Sequence, residues 1–168
     1  AVDWVYAIVP DGDHVYVAGV FTRLNSADRI GVARLRADDG SIDETWNPNV
    51  DGNVYAVAFD ENHVYLGGSF YTVGGEALPY IARVDRTNGA ADTNWAPGIN
   101  GAVYALHVAS TGVYAGGWFD VIGADSASHL GRLNKENGAM DTNWLGAAHD
   151  SVYDMAVDGD KLYVAGYF

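Results

Sequence analysis

The chain has 168 residues, 49% of them hydrophobic and 12% aromatic, which excludes a disordered chain and suits one domain with a sizeable core. Its net charge is −13, from 22 acidic and 9 basic residues, so it lacks the basic footprint that nucleic acid or an anionic membrane surface requires. Without cysteine it has no disulfide framework, no thiolate metal site and no cysteine nucleophile.

The first strand is predicted over residues 4–9 and the second over 14–21, with the hairpin turn Pro10-Asp11-Gly12-Asp13 between them. A third strand is expected over 30–36. After it come the glycine turn Ala37-Asp38-Asp39-Gly40 and a short fourth strand centred on Trp46. The same order then returns. Val5-Tyr6, Val54-Tyr55, Val103-Tyr104 and Val152-Tyr153 recur in steps of 49. So do Val15-Tyr16, Val64-Tyr65, Val113-Tyr114 and Leu162-Tyr163, followed by Ala18-Gly19, Gly67-Gly68, Gly116-Gly117 and Ala165-Gly166. Arg34, Arg83 and Arg132 precede Gly40, Gly89 and Gly138; Asp43, Asp92 and Asp141 precede Trp46, Trp95 and Trp144.

Four antiparallel strands in a unit of roughly 40–50 residues is the pattern of a β-propeller blade, which buries its faces only by stacking on other blades. A β-helix coil is much shorter, and a sandwich has no need of identical spacing. The predicted fold is therefore all-β: one domain over 1–168, with complete four-stranded blades at 5–53, 54–102 and 103–151 and the inner hairpin of a fourth at 152–168. Val-Tyr pairs are expected to supply the packing layer, and paired glycines to mark close approach of a neighbour. Propellers close with roughly 4–8 blades, so this chain alone is not expected to close a ring. It is expected to meet further blades, from a longer parent chain or from other copies joined through open blade edges.

Val54-Tyr55-Ala56-Val57, Val64-Tyr65-Leu66-Gly67-Gly68-Ser69-Phe70, Ile81-Ala82-Arg83-Val84, Asp39-Gly40-Ser41-Ile42-Asp43 and Trp46-Asn47-Pro48-Asn49 together resemble the delta-60 repeat family of bacterial β-propellers. The likeness covers essentially the whole chain. It implies a propeller on a secreted or cell-surface bacterial protein, used for scaffolding or adhesion, with no defined enzyme activity and no cofactor. His107-Val108-Ala109-Ser110-Thr111 lacks the acidic turn, and Gly131 stands where other units have alanine.

Residues present in every unit are read as structural. Arg34 with Asp43, Arg83 with Asp92 and Arg132 with Asp141, each nine residues apart, suit charge-assisted bidentate pairs. Trp46, Trp95 and Trp144 suit packing between blades. The histidines lack zinc-ligand spacing. Asp11, Asp13, Asp158 and Asp160 offer oxygen ligands for calcium, although Asp-Gly is also ordinary turn chemistry. No G-x-S-x-G, phosphate loop or dinucleotide fingerprint is present. No charged leader pattern or span of roughly 18 apolar residues occurs, so membrane insertion is not expected.

Differences between units point elsewhere. The loop between second and third strands (22–27, 71–77, 120–127) and the connector between units (47–53, 96–102, 145–151) are expected on one face, where a rigid scaffold presents functional residues. Tyr71, Tyr80 and Trp118 are the unit-specific aromatics there; position 118 is Val20, Ser69 and Tyr167 in the other units. The leading expectation is a non-catalytic module binding protein or glycan. The alternatives are a carbohydrate-active enzyme with its site at the propeller mouth, and a self-assembling element.

Overall fold

The computed structural model describes residues 3–168; the first two residues of the predicted 1–168 domain lie outside it. Among the described residues all regular structure is β, in small antiparallel sheets. Blade 1 runs from an inner strand, Trp4–Asp11, through a middle strand, His14–Val20, to an outer strand, Val32–Arg36. Blade 2 repeats this with Asn53–Phe59, His63–Ser69 and Ile81–Asp85, and blade 3 with Ala102–Ala109, Gly112–Trp118 and Leu130–Leu133. The fourth unit pairs Val152–Asp158 with Lys161–Gly166. Inner strands of successive units pack on one another in chain order. Among the described residues no sheet joins the fourth unit to the first, so the ring is open.

The fourth strand of each blade is much shorter than predicted, and it is displaced. It consists of one bridge: Leu35 with Ile42, Val84 with Ala91, and Leu133 with Met140. Trp46 follows that bridge instead of centring it, because Asp43 turns the chain. Asp43 Oδ1 accepts the Thr45 N–H at 2.9 Å and the Thr45 hydroxyl at 2.6 Å. The turn aims the indole into the seam between blades. Trp46 and Trp95 are 0% exposed, and their indole N–H groups donate to Asp85 O and Asn134 O of the following blade, at 3.2 and 3.0 Å. Burying a ring this large while satisfying its one polar atom is the main apolar cement of the seam.

The Val-Tyr pairs do not act as one layer. A β-bulge interrupts every inner strand between Val5 and Ala7, Val54 and Ala56, Val103 and Ala105, and Val152 and Asp154, which makes Tyr6, Tyr55, Tyr104 and Tyr153 the extra residues. A bulge re-aims its side chain. Val54, Val103 and Val152 are buried in the seams, whereas the tyrosines form a column along the axial side, with successive ring centroids 5.5, 5.4 and 5.4 Å apart.

The bulge explains one glycine of each pair. A Cβ on Gly68 would stand 2.0 Å from Asn53 O, the backbone of the bulging strand itself. Its neighbour Gly67 faces the next blade, 2.7 Å from Val103 Cγ1 by the same construction. Gly68→Ala is expected to cost about 1–3 kcal/mol through this overpacking. The readout is a lower urea midpoint at unchanged m. An unchanged midpoint would show that the bulge can move aside freely.

Candidate binding cleft

The repeated charges lie in the seams. Arg34 Nε and Nη2 both reach Asp43 Oδ2, at 2.9 and 2.7 Å, while Nη1 and Nη2 donate to the blade 2 carbonyls of Arg86 and Thr87 at 2.5 and 3.2 Å. Arg83 reaches Asp92 Oδ2 at 3.0 and 2.5 Å, and donates across the seam to Lys135 O of blade 3. Arg132 holds Asp141 Oδ2 in the same way. Two guanidinium nitrogens thus share one carboxylate oxygen, in place of a fork on two oxygens. Oδ1 is committed to the N–H of Thr45, Asn94 or Asn143 in the following turn. Burial works against charge on Asp43, but hydrogen bonds from Thr45 and Arg34 outweigh it and hold the carboxyl at about 2.

The calcium candidates separate. Asp11 is paired with Arg86 of the next blade, whose Nε lies 3.0 Å from Asp11 Oδ2, and its counterpart Asp60 lies 3.3 Å from Lys135 Nζ of blade 3. An Asp at this turn position ties its hairpin to the neighbouring outer turn. Among the described residues no three histidine or carboxylate groups converge, so Asp11, Asp13, Asp158 and Asp160 are not gathered around one cation.

The two variable loop types share a face and are bonded to each other. Val50 of the first connector bridges Val73, and Asp51 Oδ1 accepts the N–H groups of Tyr71 and Thr72 at 2.8 and 3.0 Å. One unit on, Ile99 bridges Ile122. Asn100 Oδ1 accepts from the Asp120 and Val121 N–H groups, each at 3.1 Å, and its Nδ2 donates to Asp120 Oδ1 at 2.6 Å. The variable loops are themselves short hairpins, residues 23–28, 72–77 and 121–126.

Between blades 2 and 3, beside this clamp, opens a cleft of about 530 Å³ lined by Tyr55, Tyr80, Tyr104, Trp118, Asp120 and His129, among others. It reaches inward to the axial tyrosines. Trp118 ends the blade 3 middle strand and is 65% exposed. Tyr71 stands outside the lining but packs on Tyr80, with centroids 5.7 Å apart. Hydrogen bonding with Tyr71, then burial, raises the Tyr80 phenol above its usual range. Burial raises Tyr104 as well, with a smaller contribution from Tyr55 and Tyr153. All three aromatics singled out from the sequence therefore lie at one place, two of them in the cleft wall.

Tyr80 and His129 enter the wall with φ of +67° and +64°, at the position where blade 1 has Gly31 at +70°. A bulky L-residue in the left-handed region costs about 1–2 kcal/mol, and such strain concentrates at binding sites. His129 Nδ1 is also shielded from solvent without a hydrogen-bond partner.

Comparison with known proteins agrees with the blade architecture. Residues 10–45 match a family model described as a β-propeller domain of unknown function (DUF5122). That stretch is the blade 1 unit from its first turn, through the middle and outer strands, to the Asp43 turn. It supports a β-propeller repeat family for the chain. No curated protein matches.

Sequence reasoning did not single out His129, and it placed Asn100 and Asp120 only within the loops expected on the functional face, 96–102 and 120–127. A signal for His129 was present in the series Gly31, Tyr80, His129. A glycine at one repeat position marks backbone that favours glycine, so large side chains at its equivalents stand out. Asn100 carried a weaker one, in the series Asp51, Asn100, His149.

Proposed function

We propose that this chain is a non-catalytic propeller module of the delta-60 type, from a secreted or cell-surface bacterial protein, that binds glycan or protein at the cleft between blades 2 and 3. The observation that carries this reading is the convergence of unit-specific aromatics, Tyr80 and Trp118, on one cleft, with Tyr80 held at a left-handed position that blade 1 fills with glycine. The fold does not need these residues, since sister blades use Gly31 and Ser69 at the same positions. The cleft lining named above holds one carboxylate, Asp120, already bonded by Asn100, whereas glycoside hydrolysis ordinarily uses two across the bond. Further blades, from the same longer chain or from other copies, are the second class of partner. Val5 is 50% exposed where Val54 and Val103 are buried, so blade 1 presents a seam face for another blade.

Wild-type protein and Trp118→Ser are to be applied to immobilised glycan and peptide libraries, with product analysis of every captured ligand. Capture without turnover is expected, weakened about tenfold or more in Trp118→Ser, as for loss of a central aromatic contact. Turnover, or equal capture by both proteins, would overturn the reading. Tyr80→Gly is expected to lower capture while changing stability by less than about 1 kcal/mol, because relief of left-handed strain offsets the lost ring contacts.

A further inference from the structure

We infer that the cleft takes a neutral carbohydrate, with the flat face of one sugar ring on the Trp118 indole and its hydroxyls toward Asp120 and Tyr104; this rests on the binding-module reading above. Charge makes the first selection. No lysine or arginine lines the cleft, Asp120 does, and the chain carries −13. Phosphorylated, sulfated or uronic ligands would meet repulsion with no lysine or arginine in the lining to offset it.

Cations are disfavoured on different grounds. Attraction of a cation to a ring is strong where several desolvated faces enclose it. Trp118 is largely exposed, and the ring contacts here join Tyr55 to Tyr104 and Tyr71 to Tyr80, leaving the indole as a separate platform. A platform of this kind suits the apolar face of a sugar, whose edge then needs both donors and acceptors. The cleft supplies both. Asn100 occupies Asp120 Oδ1 and fixes the carboxylate, leaving Oδ2 to accept from a ligand hydroxyl. The Tyr104 hydroxyl serves in either sense, and the Trp118 indole N–H is a donor at the rim.

The experiment follows the indole N–H signals by ¹⁵N NMR, assigning that of Trp118 by its loss in Trp118→Ser, a change that copies Ser69 of blade 2. The probes are neutral hexose oligosaccharides, sulfated and uronic oligosaccharides of matched length, and a lysine-rich peptide. Neutral oligosaccharides are expected to shift the Trp118 signal, with affinity reduced about tenfold or more in Trp118→Ser and largely retained in Trp118→Phe, which keeps a flat ring. A sulfated or uronic oligosaccharide binding as tightly as its neutral counterpart would overturn the neutral class, and so would a shift caused only by the peptide. Either result would leave the cleft a binding site. A Trp118 signal that no probe of any class moves would overturn both this inference and the reading it rests on.

Discussion

Arg83→Ala is expected to destabilise the protein by about 2–4 kcal/mol, somewhat below the cost of breaking a fully buried ion pair because the Asp92 carboxylate left behind is 23% exposed. For a domain of this size that corresponds to a Tm lower by roughly 10 °C. The Arg83 side chain is 8% exposed and lies over the Trp95 ring, 5.6 Å from its centroid. Its removal deprives the Asp92 carboxylate and the Lys135 carbonyl of a donor at once, and opens space beside a buried indole. Arg132→Ala is the internal comparison. Arg132 is 21% exposed and bonds Asp141 without a carbonyl of a further blade among the described residues, so a cost of about 1 kcal/mol is expected. Thermal melts of the two variants decide the matter: equal shifts would show that the bond across the seam contributes nothing. Arg83→Ala with Asp92→Ala should lose less than the sum of the single changes, because it leaves no orphaned charge.

Acid should unfold the protein over a defined window. Asp43 and Asp60 are both held at about 2, against the ordinary 3.8. For Asp60 burial again opposes the shift. It is outweighed by the N–H groups of Asn62 and His63, the Tyr65 hydroxyl at 3.0 Å, and Lys135. Since the folded values lie below the unfolded ones, the stabilisation is complete above pH 4 and is lost as pH falls through 2. A shift of this size is equivalent to about 2–3 kcal/mol per group, on the order of 5 kcal/mol for the pair. Asp51, Asp85 and Asp92 are lowered too and add in the same direction. Urea titrations at pH 7, 4, 3 and 2 should show little change between the first two and a steep fall thereafter. Asp60→Asn should remove about half of that pair's dependence. Equal stability at pH 7 and pH 2 would contradict the hydrogen-bond assignment of both carboxylates.

The blade was legible because its determinants are local and repeated. Turn glycines, alternating strands and the Arg34–Asp43 spacing all fall inside one unit, and the repeat states them in every complete blade. What was not legible depends on how units stack. Arg34 finds carbonyls 52 and 53 residues away, and Asp11, readable alone as a turn residue or a calcium ligand, finds Arg86 at a separation of 75. Neither partner has a distinguishing mark in its own unit. The bulge was hidden for another reason: Val-Tyr-Ala-Val reads as regular alternation, and one extra residue at the tyrosine reverses the faces that Ala56 and Val57 take. At the cleft, departures from the repeat exposed Trp118 and Tyr80. Asn100 and Asp120 resemble ordinary loop residues until the clamp between them is seen.

The seam beneath the cleft is stapled at its outer end. Arg83 and Trp95 of blade 2 hold carbonyls of the blade 3 outer turn, and Lys135 of that turn reaches back to Asp60. Widening the gap between Tyr80 and Trp118 would mean parting blades that these bonds keep together. The cleft is consequently preorganised: on the binding reading proposed above, its walls would lose little entropy when occupied, and a ligand would have to fit the spacing that the staples set.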